Sequence, residues 1–286
     1  MRPSLFICLP LSCYCPSFTF YKEAAVSSFS FYSGQNGNNL LKEHRKGGVL
    51  LTRDIFISDI HGQFKTFTSL LTKLKYDPEQ DRLFLLGDYI DRGPQSFQVI
   101  RYLLQLKELA GDNITFLMGN HEDMMLHAFQ QEDSTDISLW MQNGGMETLK
   151  SYVGAELVES PFDEIEHAIR QDFPEHLDFI ENLQLYEETP EHILVHAGID
   201  PYEEHWKDAA ARTFVWIRSP FLEKQHSADK TVIFGHTPTP TLHQDAGVWF
   251  QSDKIGIDGG AGFDMQLNAL IFENEEYHVV SMPVDK

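Results

Sequence analysis

The residues best suited to chemistry lie in the stretch LFLLGDYIDRG, residues 83–93. Its apolar start predicts a buried strand, which the carboxylates of Asp88 and Asp91 follow, with Arg92 beside the second. Carboxylates grouped in this way can hold a divalent cation. The alternative is a solvated turn with a local ion pair between Asp91 and Arg92. Because both structures fit this stretch, the flanking chain has to distinguish between them.

Similar polar residues follow two further apolar strands. They are Asp59 and His61 after the predicted strand Asp54–Ser58, and Asn120 and His121 after the predicted strand Asn113–Met118. An oxygen and a nitrogen ligand on one short turn, as in Asp59 and His61, suit a borderline divalent metal. Asn120 would add an oxygen ligand without adding charge. These turns are therefore candidate parts of a metal site.

The elements between these turns predict that their polar residues meet. We expect helices at Gln63–Lys75 and Pro94–Ala110, where apolar residues recur at helical spacing. Alternating strands and helices imply parallel βαβ units with right-handed crossovers. The carboxyl ends of such strands share one edge of the sheet, where open α/β folds bind their ligands.

Two histidines of the second half repeat the pattern. His196 follows the predicted strand Glu191–Val195, and His236 follows the predicted strand Lys230–Phe234, each with a glycine nearby. One such histidine would more often be structural. The potential ligands at predicted strand ends now number six: Asp59, His61, Asp88, Asn120, His196 and His236.

The acidic segment of about residues 129–188 predicts helices, interrupted at Asn143-Gly144-Gly145. We interpret it as a helical cap inserted between two halves of the sheet, where it would shape substrate access. Three histidines there have no partner motif and are expected at the surface or in the core: His127, His167 and His176.

Residues 1–52 differ from the rest and are expected to lie outside the fold. They hold all three cysteines and show no persistent apolar period. A secretory signal is one alternative, because Arg2 precedes the apolar stretch Leu5–Leu11. We favour translated upstream sequence, with an alternative start codon at Leu50 or Leu51. The catalytic domain is then residues 53–286.

Composition excludes several kinds of protein. The chain has 22 basic and 43 acidic residues, and the first 52 contain five basic and only two acidic ones. So acidic a domain repels nucleic acid but tolerates divalent cations. No cysteine follows Cys15, which excludes a disulfide framework, a zinc-thiolate site and a cysteine nucleophile in the domain. No apolar run reaches the ~20 residues of a membrane span, and we expect the cytoplasm as compartment.

Five ordered blocks carry a family resemblance. They are DIHG (59–62), GDYIDRG (87–93), GNHE (119–122), HAG (196–198) and GHTP (235–238). The chain resembles the phosphoprotein-phosphatase branch of the calcineurin-like metallophosphoesterases. It is most similar to compact bacterial and bacteriophage Ser/Thr phosphatases, which share a segment like Trp216-Ile217-Arg218. One departure is Gly259, where these proteins usually have Thr or Ser.

The resemblance implies an α/β fold of four layers, α-β-β-α, with two sheets packed face to face, helices outside and the helical cap inserted. We expect the late strands to form the antiparallel part of the second sheet. These strands are Val248–Phe250, Lys254–Ile257, Ala269–Phe272 and Tyr277–Ser281.

The resemblance also implies two divalent cations, with manganese expected and iron or zinc as alternatives. Asp59, His61 and Asp88 would hold one ion. The second ion would be held by Asp88, Asn120, His196 and His236, so that Asp88 bridges. A hydroxide between the ions would attack phosphorus in line with the leaving group.

By the same resemblance, further residues bind the substrate and move a proton. Arg92 and Arg218, with Asn120 and His121, would bind the phosphoryl group. His121 would protonate the leaving group as general acid. Asp91 would orient His121 and favour its cationic form, although a turn-stabilising ion pair with Arg92 is also open.

The expected activity is hydrolysis of phosphomonoesters, first of all phosphoserine and phosphothreonine in proteins. The alternative is symmetrical bis(5'-nucleosyl)-tetraphosphatase activity, the hydrolysis of diadenosine tetraphosphate by the same centre. A third hypothesis is a metal-binding scaffold without activity, but the ligand set has no gap. We expect a monomer that acts on a phosphoprotein or a small phosphorylated substrate, with neither nucleic acid nor membrane as partner.

Overall fold

The computed structural model describes residues 53–130, 134–156 and 158–285. The predictions for residues 1–52 lie outside these ranges. The strands are β1 Asp54–Ile57, β2 Arg82–Leu85, β3 Ile114–Phe116, β4 Tyr186–Glu188, β5 His192–Val195, β6 Thr231–Phe234, β7 Trp249–Phe250, β8 Lys254–Gly256, β9 Gln266–Glu273 and β10 Glu276–Pro283. The helices are α1 Phe64–Leu74, α2 Ser96–Ala110, α3 Asn120–Gln130, α4 Ser134–Gln142, α5 Gly145–Val153, α6 Phe162–Asp172, α7 Pro174–Glu181 and α8 Ala211–Trp216.

The strands form two five-stranded sheets. The order in sheet 1 is β10-β9-β1-β2-β3, and the order in sheet 2 is β4-β5-β6-β8-β7. β1, β2 and β3 are parallel, with Ile55 opposite Leu83 and Leu83 opposite Ile114. β5 and β6 are also parallel. The predicted βαβ units are confirmed, and their carboxyl ends lie at one edge of each sheet.

Side chains that alternate along the strands build two cores. Phe56, Phe84 and Leu270 of sheet 1 pack with Leu194 and Ile233 of sheet 2. The neighbours of Phe56 along β1, Ile55 and Ile57, face the opposite way and pack with the helices. Sheet 1 is thus buried on both faces, which explains its continuous apolar runs.

The outer face of sheet 2 has its own apolar cluster. Val195 of β5 and Val232 of β6 pack there with Phe214 of α8 and with Phe221. The layers are therefore helices, sheet 1, sheet 2 and a thinner layer that contains α8. This mixed α/β architecture is the sandwich fold that the family resemblance implied.

Helices α4–α7, here called the helical insertion, lie between α3 and β4. Apolar residues of α4–α7, such as Trp140 and Ile169, join the core beneath sheet 1. The predicted helices are confirmed, while their role in substrate access stays a prediction. His127 and His167 are exposed and His176 is buried, as expected for surface and core histidines. Within the described ranges no helix is long and apolar enough to cross a membrane.

The prediction for the last strands was partly wrong. β9 and β10 belong to sheet 1, where β9 pairs antiparallel with β1, and Ile271 lies opposite Ile55. β7 and β8 lie in sheet 2 and pair antiparallel as expected, but β8 is parallel to its other neighbour, β6. Alternating apolar residues predict a strand, but they do not indicate which strand it pairs with. In the structure β9 pairs with the free edge of β1, where Leu270 packs in one core and Ile271 packs in the other.

Candidate metal centre

The loops after the parallel strands are fastened to one another by their backbones. Asp59 N donates to Gly87 O at 3.1 Å, and His61 N donates to Asp88 O at 2.9 Å. On the other sheet, Gly235 N donates to His196 O at 2.8 Å. These bonds continue the pairing of the strands into the loops, so the polar residues that follow each strand are held side by side.

Asp88 lies at the centre of the polar cluster. Its Oδ2 is 3.5 Å from His61 Nε2 and 3.9 Å from His121 Nε2, and its Oδ1 is 3.4 Å from His196 Nε2. All four residues are buried. Two groups of donor atoms close enough to hold a metal ion share this carboxylate: His61, Asp88 and His121 form one, and Asp88, His196 and His236 form the other.

Backbone carbonyls fix the tautomers of two of these histidines. His61 Nδ1 donates to Ile90 O at 2.9 Å, and His196 Nδ1 donates to Leu86 O at 2.7 Å, since a carbonyl can only accept. Nε2 of each ring is therefore an acceptor, and it lies 3.5 Å (His61) or 3.4 Å (His196) from an oxygen of Asp88. This is how proteins orient histidine ligands of a metal.

Acceptor atoms also converge on the far side of Asp88. His196 Nε2 lies 3.1 Å from Asn120 Oδ1, and His236 Nδ1 lies 2.7 Å from the same oxygen. His236 Nε2 is buried without a hydrogen-bond partner. Because His196 Nδ1 donates to Leu86 O, His196 Nε2 and Asn120 Oδ1 are two acceptors that face each other. Two such acceptors are stable together around a cation, so the chemistry of the donor set fits divalent metals.

Asp59 lies against the backbone of His236. Its carboxylate accepts from His236 N at 3.0 Å and from the Ser58 hydroxyl, and it belongs to neither donor group. Burial and the charge of Asp88 raise the pKa of Asp59 well above its usual range. The ligand role of Asp59 stays a prediction.

Sequence reasoning missed the neighbouring carboxyl of Asp258. Burial, followed by the charge of Asp59, raises the pKa of Asp258 well above its usual value. The signal was present, because Asp258 also follows an apolar strand. At the adjacent Gly259, an added Cβ would lie 2.5 Å from Gln266 O, so the departure from Thr or Ser permits a close approach of β9.

Burial sets the charge state of the centre. It raises the pKa of Asp88 to about 7, and it lowers the pKa of His196 to about 4. Burial also lowers the pKa of His61 well below its ordinary value. The imidazoles are therefore neutral, as metal ligands must be, and an ionised Asp88 requires a cation nearby.

Unusual backbone conformations concentrate here. Of the ten non-glycine residues with positive φ in the described ranges, six are predicted site residues: Asp59 (54°), His61 (47°), Asp88 (56°), Asp91 (73°), Arg92 (65°) and His236 (63°). Each such conformation costs on the order of 1 kcal/mol and persists only where the surroundings enforce it. Such clustering is typical of functional sites.

Glu122 supplies part of that enforcement. Its buried carboxylate accepts from the backbone N–H groups of Asp88 at 2.9 Å, Tyr89 at 2.8 Å and Gly119 at 3.0 Å. One side chain thus ties the loop after β2 to the loop after β3. Glu122 belongs to the GNHE block, for which the resemblance implied no such role.

The two predicted phosphate-binding arginines lie at the edge of the cluster. Arg92 Nη1 is 2.8 Å from His61 Nε2, and its guanidinium lies over the ring of Phe263, 4.7 Å from the centroid. Arg218 Nη2 donates to His236 O at 3.3 Å. The two guanidiniums therefore flank the predicted ligands from the two sheets.

His121 and Asp91 form a buried pair. His121 Nδ1 lies 2.6 Å from Asp91 Oδ2, which leaves Nε2 on the side of Asp88. The pairing that the sequence predicted is present, but its effect on charge differs from expectation. Burial and the positive charge of Arg92 lower the pKa of His121 well below its usual value. Burial also raises the pKa of Asp91 to about 8.

The sequence profile of the calcineurin-like phosphoesterases matches residues 53–263. Over 218 residues the chain is 29% identical to serine/threonine-protein phosphatase 1 of Salmonella typhimurium, which covers 74% of this chain and 88% of that protein. Over 147 residues it is 32% identical to a symmetrical bis(5'-nucleosyl)-tetraphosphatase of Pseudomonas putida, which covers 51% of this chain and only 42% of that enzyme.

Solved structures share the fold. The cold-active protein-tyrosine phosphatase of a psychrophilic Shewanella species superposes with a TM-score of 0.57 at 16% identity, over 82% of this chain and 81% of that one. At this identity the likeness concerns the fold alone.

Proposed function

The chain belongs to the calcineurin-like phosphoesterase family, and from this premise we propose that it is a phosphomonoesterase that acts on phosphoserine and phosphothreonine. The serine/threonine phosphatase of Salmonella typhimurium is matched over 74% of this chain and 88% of its own length. The symmetrical tetraphosphatases are matched over less of their own length, 42% for the enzyme of Pseudomonas putida and 64% for that of Hamiltonella defensa. The fuller match supports a protein phosphatase.

The observation that carries the phosphoester chemistry, common to both candidate substrates, is the position of Asp88 between two groups of imidazoles. Asp59 and His61 would bind one divalent cation, Asn120, His196 and His236 would bind the other, and Asp88 would contact both. When bound, such a pair of cations activates a water molecule and neutralises charge on the phosphoryl group. We expect manganese in preference to iron or zinc.

The side chains of this protein would do the remaining work. Arg92 and Arg218 would bind the non-reacting phosphoryl oxygens and hold the ester in place. Nε2 of His121 would give its proton to the serine or threonine oxygen as the ester bond breaks, while Nδ1 of the neutral ring takes a proton from the Asp91 carboxyl, whose pKa burial raises to about 8.

One observation favours the second candidate, hydrolysis of dinucleoside tetraphosphates. The ring of Phe263 is 54% exposed next to Arg92, where a nucleobase could stack while Arg92 holds a phosphate. If so, Phe263→Ala should lower kcat/KM for diadenosine tetraphosphate more than for a phosphopeptide.

A side-by-side substrate assay tests the proposal. The Mn²⁺-loaded protein would be given a phosphoserine peptide, a phosphothreonine peptide and diadenosine tetraphosphate at equal concentration. We expect the highest kcat/KM for a phosphopeptide. A higher value for the dinucleotide would establish the second candidate instead, and no turnover of any of the three would contradict both.

A further inference from the structure

The Asp91 carboxylate is held by two side chains of the helical insertion. Trp140 Nε1 donates to Asp91 Oδ2 at 2.9 Å and to Oδ1 at 3.1 Å. Thr148 Oγ1 donates to Asp91 Oδ1 at 2.6 Å and accepts from Asp91 N at 2.9 Å. Asp91, Trp140 and Thr148 are all completely buried. Both carboxylate oxygens are thus occupied, and the carboxylate has one orientation.

The turn Asn143-Gly144-Gly145 brings the insertion to this position. Gly144 has a φ of 106°, and its carbonyl accepts from Arg92 N at 3.3 Å. A Cβ on Gly144 would lie 2.7 Å from Arg92 N, and a Cβ on Gly145 would lie 2.6 Å from the Trp140 indole. The two glycines therefore permit close contact with Arg92 and seat the indole.

The indole is fixed on its other sides as well. Its ring meets Phe129 and Phe162 edge-on, at centroid distances of 5.6 Å and 6.4 Å. Thr148 Oγ1 also lies 3.0 Å from Ser96 Oγ at the start of α2. Packing thus locks both donors before a substrate arrives, as positioning of a reacting group requires.

We propose that Trp140 and Thr148 are positioning residues for the reaction. They fix the Asp91 carboxylate, which in turn fixes the His121 ring so that Nε2 faces the leaving oxygen. A segment that only restricted access to the cleft would need no buried donors at Asp91. This inference rests on the proposed function, because it concerns proton transfer to an ester oxygen.

Substitutions in α5 and α4 test the inference in the full chain. Thr148→Val removes the hydroxyl at nearly constant volume, Thr148→Ser keeps it, and Trp140→Phe removes the indole N–H while keeping an aromatic ring. Tyr152→Phe is the matched control, since it removes a buried hydroxyl of α5 that bonds His176 and not Asp91.

Thr148→Val and Trp140→Phe should each lower kcat for a phosphoserine peptide roughly 10-fold, the effect of one lost hydrogen bond. The loss should be much smaller with p-nitrophenyl phosphate, whose leaving group needs little protonation. KM and bound Mn²⁺ should not change, Thr148→Ser should recover most of the rate, and Tyr152→Phe should keep the ratio of the two rates. Equal losses on both substrates, or no difference between Val and Ser at position 148, would overturn the inference.

A second readout does not depend on turnover. In ¹H–¹⁵N spectra of the metal-free protein, the Trp140 indole N–H signal should move in Thr148→Val and in Asp91→Asn but not in Tyr152→Phe. An unmoved signal in the first two variants would show that the indole does not report on this carboxylate, and the inference would fail even with an active enzyme. A wild-type protein without phosphomonoesterase activity would instead refute the proposed function.

Discussion

The loops that follow the parallel strands differ from the helical insertion in backbone conformation and in the burial of their carboxylates. The loops contain six non-glycine residues with positive φ, whereas the described residues of the insertion contain none. The loops bury carboxylates such as Asp88, while the insertion leaves acidic residues such as Asp163 and Glu164 exposed. The buried carboxylate cluster and most of the residues with positive φ thus belong to the loops, whereas the insertion consists of regular helices. The comparison indicates that the loops supply the reacting groups and that the insertion mainly adds to the core. Trp140 and Thr148 are the exceptions, because they belong to the insertion and contact Asp91.

The largest effect is expected from a change at the centre of the loops. Asp88→Asn should lower the rate with any phosphoester by more than about 10³-fold, because one carboxylate would serve both cations. Bound Mn²⁺, measured by elemental analysis, should fall as well. A variant that keeps two ions per chain and near-normal turnover would show that Asp88 does not bridge.

A smaller loss of activity is expected from a change at His121, which would transfer a proton without binding a metal ion. His121→Asn should keep its metal and lose roughly 10²- to 10⁴-fold in turnover of a phosphopeptide, the range for a general acid. The rate with p-nitrophenyl phosphate should fall much less. His121 Nε2 also lies near Asp88 and His61, so His121 could instead bind a metal ion. Equal losses of turnover on both substrates, together with the loss of one bound ion, would show that His121 is a metal ligand.

How far the sequence predicted the site depends on the kind of signal. Asp59, Asp88 and His196 were found because an apolar strand that ends in a polar residue and a glycine is a local pattern. Trp140 and Thr148 were missed because both look like ordinary core positions of amphipathic helices. The pair Gly144-Gly145 indicates that the backbone passes close to another part of the chain, but the sequence does not show which part that is.

The fold was predictable to a similar extent. Parallel β1, β2 and β3 follow from the alternation of strands and helices, since a crossover helix dictates both direction and hand. The placement of β9 was not predictable in this way, because its partner β1 is more than 200 residues away and any open apolar strand edge could have received it. Side-chain contacts across such distances become visible only in the folded chain.

The buried His176 of α7 should make the stability of the protein sensitive to acid. Burial lowers the pKa of His176 to about 4. The unfolded chain, with a pKa near its usual value of 6.5, therefore binds this proton first, and stability is lost as pH falls from about 6.5 to about 4. We expect a contribution on the order of 2 to 3 kcal/mol. Urea unfolding of wild type and His176→Gln at pH 7 and pH 5 should show a weaker pH dependence in the variant.

His192 provides the comparison from sheet 2. Burial lowers its pKa to about 4 as well, and its Nε2 lies 2.6 Å from the Tyr277 hydroxyl. His192→Gln should also weaken the dependence of the free energy of unfolding on pH between pH 7 and pH 5. It should leave the contact between His176 and Tyr152 of α5 intact. An unchanged pH dependence in both variants would mean that neither imidazole is kept neutral by the fold.

The smallest effect is expected on the exposed side of the insertion. Lys150 Nζ and Glu147 Oε1 form an ion pair of 2.9 Å in which both side chains are more than a third exposed. Lys150→Ala should change the free energy of unfolding by less than about 0.5 kcal/mol and leave kcat unchanged. A clear loss of activity would show that the outer face of α5 takes part in function and would remove the contrast drawn between the two regions.

Anomalous diffraction from crystals grown with Mn²⁺ tests the central claim most directly, since it locates the ions without reference to turnover. We predict two peaks per chain, one beside His61 and one beside His196 and His236, with the Asp88 carboxylate in contact with both. A single peak, or two peaks of which one does not touch Asp88, would contradict the account.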